Sequence, residues 1–206
     1  MTNDYQRRRQ EAERLATEGR IPPNQSVSEK FPVLHYGPVP QFNEATWDLR
    51  VFGEVEEEKR WTWTEFQQLP TVQVKVDIHC VTGWSKFDTV WEGPLFRDFI
   101  KLFGVKSTAK YVIAHAEHGF TTNLPLDVML EDNVLLAWKY NGQYLEPDHG
   151  FPLRTFVPQR YFWKSAKWLR KLEFSTKDKP GFWEQAGYHN DGDPWEEERY
   201  QRRRMY

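Results

Sequence analysis

The chain of 206 residues is long enough for one domain with attached arms, at about 100–200 residues per domain. Its net charge of −2 gives no overall field to draw nucleic acid or an anionic membrane, and 10 Trp, 9 Tyr and 14 Phe exclude disorder over most of its length. A single cysteine, Cys80, excludes a disulfide framework and a CxxC metal site, and no apolar run approaches the roughly 18 residues of a membrane helix.

Residues 4–19, rich in Arg, Glu, Gln and Ala and ending at Gly19, predict an exposed charged helix. Arg7–Arg9 have no apolar segment behind them, so they read as a solvated face rather than an export signal, and a cytoplasmic location is expected. Pro22, Pro23, Pro32, Pro38 and Pro40 forbid a helix across 20–46 and predict an extended arm.

The folded body begins near Trp47. Asp48–Gly53 alternates as a half-buried strand does. Thr62 and Glu65 have the spacing of a capping box, which predicts a helix from Trp63 to about Leu69, stopped by Pro70. Val72, Val74, Val76 and Ile78 recur every second residue, so 71–79 is a strand that ends at Cys80. Leu95, Phe99 and Leu102 share one face of a helix over 94–103, with Pro94 in its first turn. Strands are expected at 111–116, 134–140, 153–157 and 168–174, a helical turn at 126–130, and a charged helix at 195–204. Strands and short helices mix without a βαβ rhythm, which predicts an α+β fold of mixed sheets.

Cys80 admits two readings: a small core hydrophobe, or a thiolate offered at a strand end as a nucleophile or metal ligand. His115 and His118 have an HxxH spacing, but a zinc site would need further ligands. A Cys-His hydrolase built on Cys80 is a second alternative, and a cofactor-free binding module a third. The segment from His149 through Arg154 to Trp168 gathers Arg, Lys, Ser and aromatic side chains. Such a loop suits a phosphate and a flat heterocycle, or it is only a cationic loop with buried tryptophans. Nucleic-acid binding is disfavoured by the neutral net charge.

Five ordered blocks then carry a resemblance. Phe31-Pro32-Val33-Leu34-His35-Tyr36-Gly37, His79-Cys80-Val81-Thr82-Gly83-Trp84-Ser85, Trp91-Glu92-Gly93-Pro94-Leu95, residues 119–126 and residues 149–168 together resemble the molybdopterin-binding domain of the sulfite oxidase family. The chain is similar in particular to the small stand-alone sulfite oxidase-like oxidoreductases of prokaryotes. The resemblance spans about residues 30–175, and the chain divides into an arm (1–46), the molybdopterin-binding domain (47–176) and a tail (177–206). The resemblance implies a molybdenum centre carried by molybdopterin, with Cys80 as metal ligand and catalytic residue. It further implies that His35, Tyr36, His115, His149, Arg154, Lys164, Ser165, Ala166 and Lys167 bind the cofactor, Arg154 at the pterin phosphate. The implied activity is oxygen-atom transfer on a small or side-chain S- or N-oxide.

One departure and one similarity qualify the substrate. Animal and plant sulfite oxidases follow the metal cysteine with Ala-Gly-Asn-Arg-Arg, whereas Val81-Thr82-Gly83-Trp84-Ser85 stands here. The Cys-Val-x-x-Trp pattern is more similar to bacterial enzymes that reduce protein methionine sulfoxide. Trp84, Lys86 and Trp91 are candidates for the substrate side. No CxxCH haem-attachment motif occurs, so a separate electron-transfer partner is expected.

Overall fold

A computed structural model describes residues 2–201. The elements in chain order are α1 (Thr2–Thr17), β1 (Ser26–Val27), β2 (Asp48–Gly53), β3 (Lys59–Thr62), α2 (Trp63–Phe66), β4 (Val72–His79), β5 (Trp84–Gly93), α3 (Phe96–Phe99), β6 (Tyr111–Ala116), β7 (Thr121–Pro125), α4 (Leu126–Met129), β8 (Leu135–Ala137), β9 (Lys139–Tyr140), β10 (Gln143–Tyr144), β11 (Arg154–Phe156), β12 (Leu169–Ser175) and α5 (Phe182–Gln185). The fold is α+β, with mixed sheets and short helices. Among the described residues no helix is long and apolar enough to cross a membrane.

One sheet runs β3-β2-β12-β6-β7. Its central strand β12 is parallel to β2, with Leu172 beside Val51, and antiparallel to β6, with Leu172 beside Ala114. The buried residues of these strands pack against Trp63, Phe66, Phe96 and Phe99 of α2 and α3. The capping box forms as the sequence predicts: the Thr62 hydroxyl accepts from the Glu65 amide, and the Glu65 carboxylate accepts from the Thr62 amide. The helix stops at Phe66, short of Leu69.

The second sheet is organised by β5. This strand pairs with β4 from Val72–Gly93 to His79–Ser85, with β1 in parallel at Trp84–Ser85, and with β9 at Trp91–Glu92. At ten residues β5 is the longest strand of the described chain, yet its sequence gives no strand signal. The reason is that polar side chains fill its inward positions. Ser85 and Thr89 are buried, and both are satisfied: His79 Nδ1 lies 2.8 Å from the Ser85 hydroxyl, and the Thr89 hydroxyl donates to the Val76 carbonyl at 2.6 Å. Asp88, at φ 55, further breaks the alternation beside the register shift between Val76 and Ile78. Trp91 is wholly buried in the cluster beneath this sheet, so it is a core residue and not a substrate contact.

The expected helix at 195–204 is not formed over 195–201; residues 202–204 lie outside the described residues. Asp193 accepts from the Trp195 amide in a tight turn, and Glu197 sits at φ 53. Glu198 turns inward to His189 at 3.1 Å and accepts from the Asp193 amide. These local side-chain bonds offer the backbone an alternative to a helix. The tail therefore packs as an irregular segment against the body rather than standing off as a helix.

Candidate active site

Cys80 owes its position to a tight turn between β4 and β5. The Gly83 amide donates to the Cys80 carbonyl at 3.0 Å, and the Cys80 amide donates to Trp84 at 2.8 Å. Gly83 has φ +95, a conformation that a side chain would strain. The arm fixes the turn from outside: the Ser26 amide donates to the Gly83 carbonyl, and Gln25 Nε2 donates to the Cys80 carbonyl at 3.0 Å. Cys80 Sγ lies 3.2 Å from the Thr82 hydroxyl, and burial pushes the thiol pKa up against that contact. Tyr161, Trp84, Trp163 and Tyr188 pack around Cys80 and Val81.

Opposite the turn, residues 157–168 fold back onto β11. The Val157 amide donates to the Ser165 hydroxyl, and the Ala166 amide donates to the Thr155 hydroxyl. This closure buries Arg154 to 1 % exposure. Its Nη1 and Nη2 donate to the carbonyls of His149 (2.8 Å) and Ser165 (2.7 Å), while Nε has no partner. Lys167 Nζ donates to the carbonyls of Asp148 and of Leu34 in the arm. His149 stacks on Phe31 at 3.8 Å, and its buried Nδ1 is also unpartnered.

These walls enclose a cavity of about 350 Å³. That is within the usual range for a small-molecule or cofactor site, about 300–1,000 Å³. Of the residues expected at the site, Cys80, His35, Tyr36, His149, Arg154, Ser165, Ala166 and Lys167 line this one cavity. His115 and Lys164 do not. His115 pairs with Glu173 at 3.0 Å on the β6–β12 ladder, against Phe52. Lys164 is fully buried behind the wall, 2.7 Å from Glu184. Lys86 donates to the Glu29 carbonyl and also stands outside the cavity, whereas Trp84 lines it. Sequence reasoning missed Thr82 and the tail residues Trp183 and Tyr188, which complete the wall. The aromatic run around Phe182-Trp183 was the available signal.

The electrostatics of the cavity are one-sided. Burial pushes the Arg154 guanidinium down to about 9. Burial, with Arg154 nearby, pushes Lys167 down to about 7. Burial, with Lys167 and Arg154 nearby, holds His149 at about 4. The carboxylate in the wall, Glu117, is engaged by Arg170 at 2.6 Å. Arg154, buried and with Nε unpartnered, thus offers the cavity a cationic donor. A phosphate supplies the missing charge, the Cys80 thiol suits a thiolate-binding metal, and the aromatic walls suit a flat heterocycle, so the residues fit a molybdopterin. The competing readings find less support. Among the described residues no three His, Cys, Asp or Glu side chains gather as metal ligands, and Thr82, rather than a histidine, meets the Cys80 thiol.

Comparison with known proteins agrees with this geometry. The model of the oxidoreductase molybdopterin binding domain family matches residues 36–183. The oxidoreductase YuiH of Bacillus subtilis is 51 % identical over 183 residues, covering 88 % of this chain and 92 % of YuiH. The YedZ1 protein of Azospira oryzae, named for a protein-methionine-sulfoxide reductase subunit, is 30 % identical over 172 residues, covering 82 % of this chain and 65 % of its own length. The sulfane dehydrogenase SoxCD of Paracoccus pantotrophus shares the fold, with a TM-score of 0.63 at 20 % identity over 69 % of this chain and 41 % of that one. The chain belongs to the molybdopterin-binding oxidoreductase family, and its cofactor is molybdenum held by molybdopterin.

Proposed function

We propose that this oxidoreductase transfers an oxygen atom to or from an uncharged S- or N-oxide, small or carried on a side chain, with Cys80 as the protein ligand to molybdenum. The observation that carries the reading is one cavity lined both by the Cys80 thiol and by the cationic side chains of Arg154 and Lys167. Arg154 and Lys167, with the turn at Ser165 and Ala166, hold the pterin phosphate; His149, His35 and Tyr36 flank it. When bound, the molybdenum centre supplies the two-electron redox change. In the reducing direction an S-oxide, two electrons and two protons give a sulfide and water; the oxidising direction is the reverse.

The residues near Cys80 support an uncharged substrate. Burying an oxyanion requires fixed cationic donors. Arg199 is committed to the backbone carbonyls of Val81, Pro23 and Asn24 and lies over the Tyr161 ring. Arg160 is committed to Asp191 at 3.0 Å. Beside the Thr82 hydroxyl and the charge of Lys167, which is bonded to the carbonyls of Leu34 and Asp148, the surfaces packed around Cys80 are the aromatic rings of Trp84, Tyr161, Trp163 and Tyr188, which suit a polarisable sulfur group. The relative named for protein methionine sulfoxide supports the same class. The chain's one cysteine is assigned to the metal and leaves none for a covalent haem, which supports a separate electron-transfer partner.

The test is steady-state turnover of sulfite, nitrate, S-oxides and N-oxides with both reducing and oxidising dyes. Turnover confined to the uncharged oxides is expected. Efficient sulfite oxidation, at the roughly 10⁴–10⁸ M⁻¹s⁻¹ of ordinary enzymes, would contradict the reading.

A further inference from the structure

The tail after β12 carries a carboxylate that the cavity itself does not use. Glu184, in α5, is 1 % exposed. Its Oε1 lies 2.7 Å from Lys164 Nζ and accepts from Trp163 Nε1 at 2.9 Å and from the Thr122 hydroxyl at 3.0 Å. Its Oε2 is buried with no partner. The family match ends at residue 183, one position before this side chain.

A buried ion pair is weak evidence for stability, because apolar side chains of similar volume commonly serve as well. Its attested use is to select one arrangement over others. Here the selected arrangement is the closed cavity. Trp183 and Tyr188 of the tail, and Trp163 of the body, all line it. Trp163 meets Tyr188 edge-on at 5.2 Å and is held from behind by Glu184. Gly181 lies so close to the Thr121 carbonyl that any side chain would collide with it, so the tail seats flush. On its outer side the tail meets the arm, with Tyr36 and Phe182 ring centroids 4.7 Å apart. A ligand that touches arm, body and tail at once must enter before those segments close.

We propose that Glu184 is a positioning residue for the cofactor cavity: its buried carboxylate clamps residues 177–201 across the cavity and fixes Trp163 in the wall, so that the tail closes behind the cofactor and retains it. The proposal rests on cofactor occupancy of this cavity and not on the choice of substrate. Glu184→Gln keeps the shape and weakens each of the three donors' bonds. The loss of charge-assisted hydrogen bonds then predicts roughly 10- to 100-fold faster pterin release.

Two measurements test it. Hydrogen exchange is followed in wild-type protein, as isolated with its pterin and as produced in a host unable to make molybdopterin. Residues 177–201 are expected to exchange faster than β12 in the second preparation and to be protected in the first. Pterin release is followed by fluorescence in wild type, Glu184→Gln and the double variant Lys164→Met/Glu184→Met. The double variant restores packing without the acceptor for Trp163. It should melt near wild type without pterin, yet release pterin as fast as Glu184→Gln. A tail equally protected with and without pterin overturns the proposal, as does wild-type release from the double variant. A wild-type preparation without pterin overturns cavity occupancy itself, whatever the substrate assays show.

Discussion

Arg154→Met separates a binding role from a structural one. In the wild-type cavity burial lowers the guanidinium from its ordinary value to about 9. At about 1.4 kcal/mol per pKa unit, that difference is a penalty of about 5 kcal/mol. At pH 7 the group is protonated both folded and unfolded, so the whole penalty applies. Against it stand two charge-assisted hydrogen bonds to the carbonyls of His149 and Ser165, about 1.5–3 kcal/mol each, and the Phe162 ring 4.3 Å from the guanidinium. The two sides nearly cancel. Methionine removes both the penalty and the bonds, so cofactor-free protein should keep its stability within about 2 kcal/mol, or roughly 4–8 °C for a chain of this size. Pterin binding has no such cancellation. Losing a buried cation opposite a phosphate costs about 2–5 kcal/mol, which is roughly 30- to several-thousand-fold in affinity. Pterin content after gel filtration and melting of cofactor-free protein are the two assays. A variant that keeps wild-type pterin, or whose cofactor-free form melts more than about 15 °C low, would refute the reasoning.

Cys80→Ser replaces a polarisable thiolate by a harder hydroxyl and should lower the molybdenum-to-pterin ratio and abolish turnover. The cofactor-free melting point should stay within about 5 °C of wild type, given roughly 2–4 °C per kcal/mol; full turnover in this variant would remove the ligand assignment. Asp48, nearly buried, meets Arg50 and Arg60 at 2.6 Å and Arg170 at 2.7 Å. Burial opposes its ionisation, but the hydrogen bonds from Arg170 and Arg50 outweigh it and hold the pKa below 3.8. Asp48 therefore stabilises the fold above the unfolded-state pKa, and that contribution is lost as pH falls through the lower native value. Because Arg50 and Arg60 are more than half exposed, Asp48→Asn should cost only about 1–3 kcal/mol at pH 7. The gap to wild type in urea unfolding should close below about pH 4; a gap independent of pH would contradict the assignment.

The strands that were legible in the sequence have a mainly apolar face, and α2 was legible from its polar capping box. The run Val72–Ile78 led correctly to β4 and hence to Cys80 at its end. β5 was hidden because Ser85 and Thr89 occupy inward positions and take their hydrogen bonds from neighbours distant in sequence. The tail was illegible for a similar reason. Glu184 looks like a solvated charge until Lys164, Trp163 and Thr122 are brought to it from two other segments. At the site, the resemblance grouped residues 149–168 as a unit, and the cavity does take Arg154, Ser165, Ala166 and Lys167 from it. It could not tell that Lys164, within the same run, faces the opposite way, because the short 3₁₀ turn at Phe162–Lys164 sends successive side chains to different sides. His115 likewise follows from the alternation of β6, which sets its side chain beside Glu173 across the ladder.

Sulfur coordination at molybdenum tests the central assignment most directly. X-ray absorption at the molybdenum edge of the purified protein should show one more metal–sulfur bond in wild type than in Cys80→Ser, with the pterin sulfurs common to both. An identical sulfur count in the two proteins would contradict Cys80 as the ligand, and with it the placement of the metal beside the β4–β5 turn.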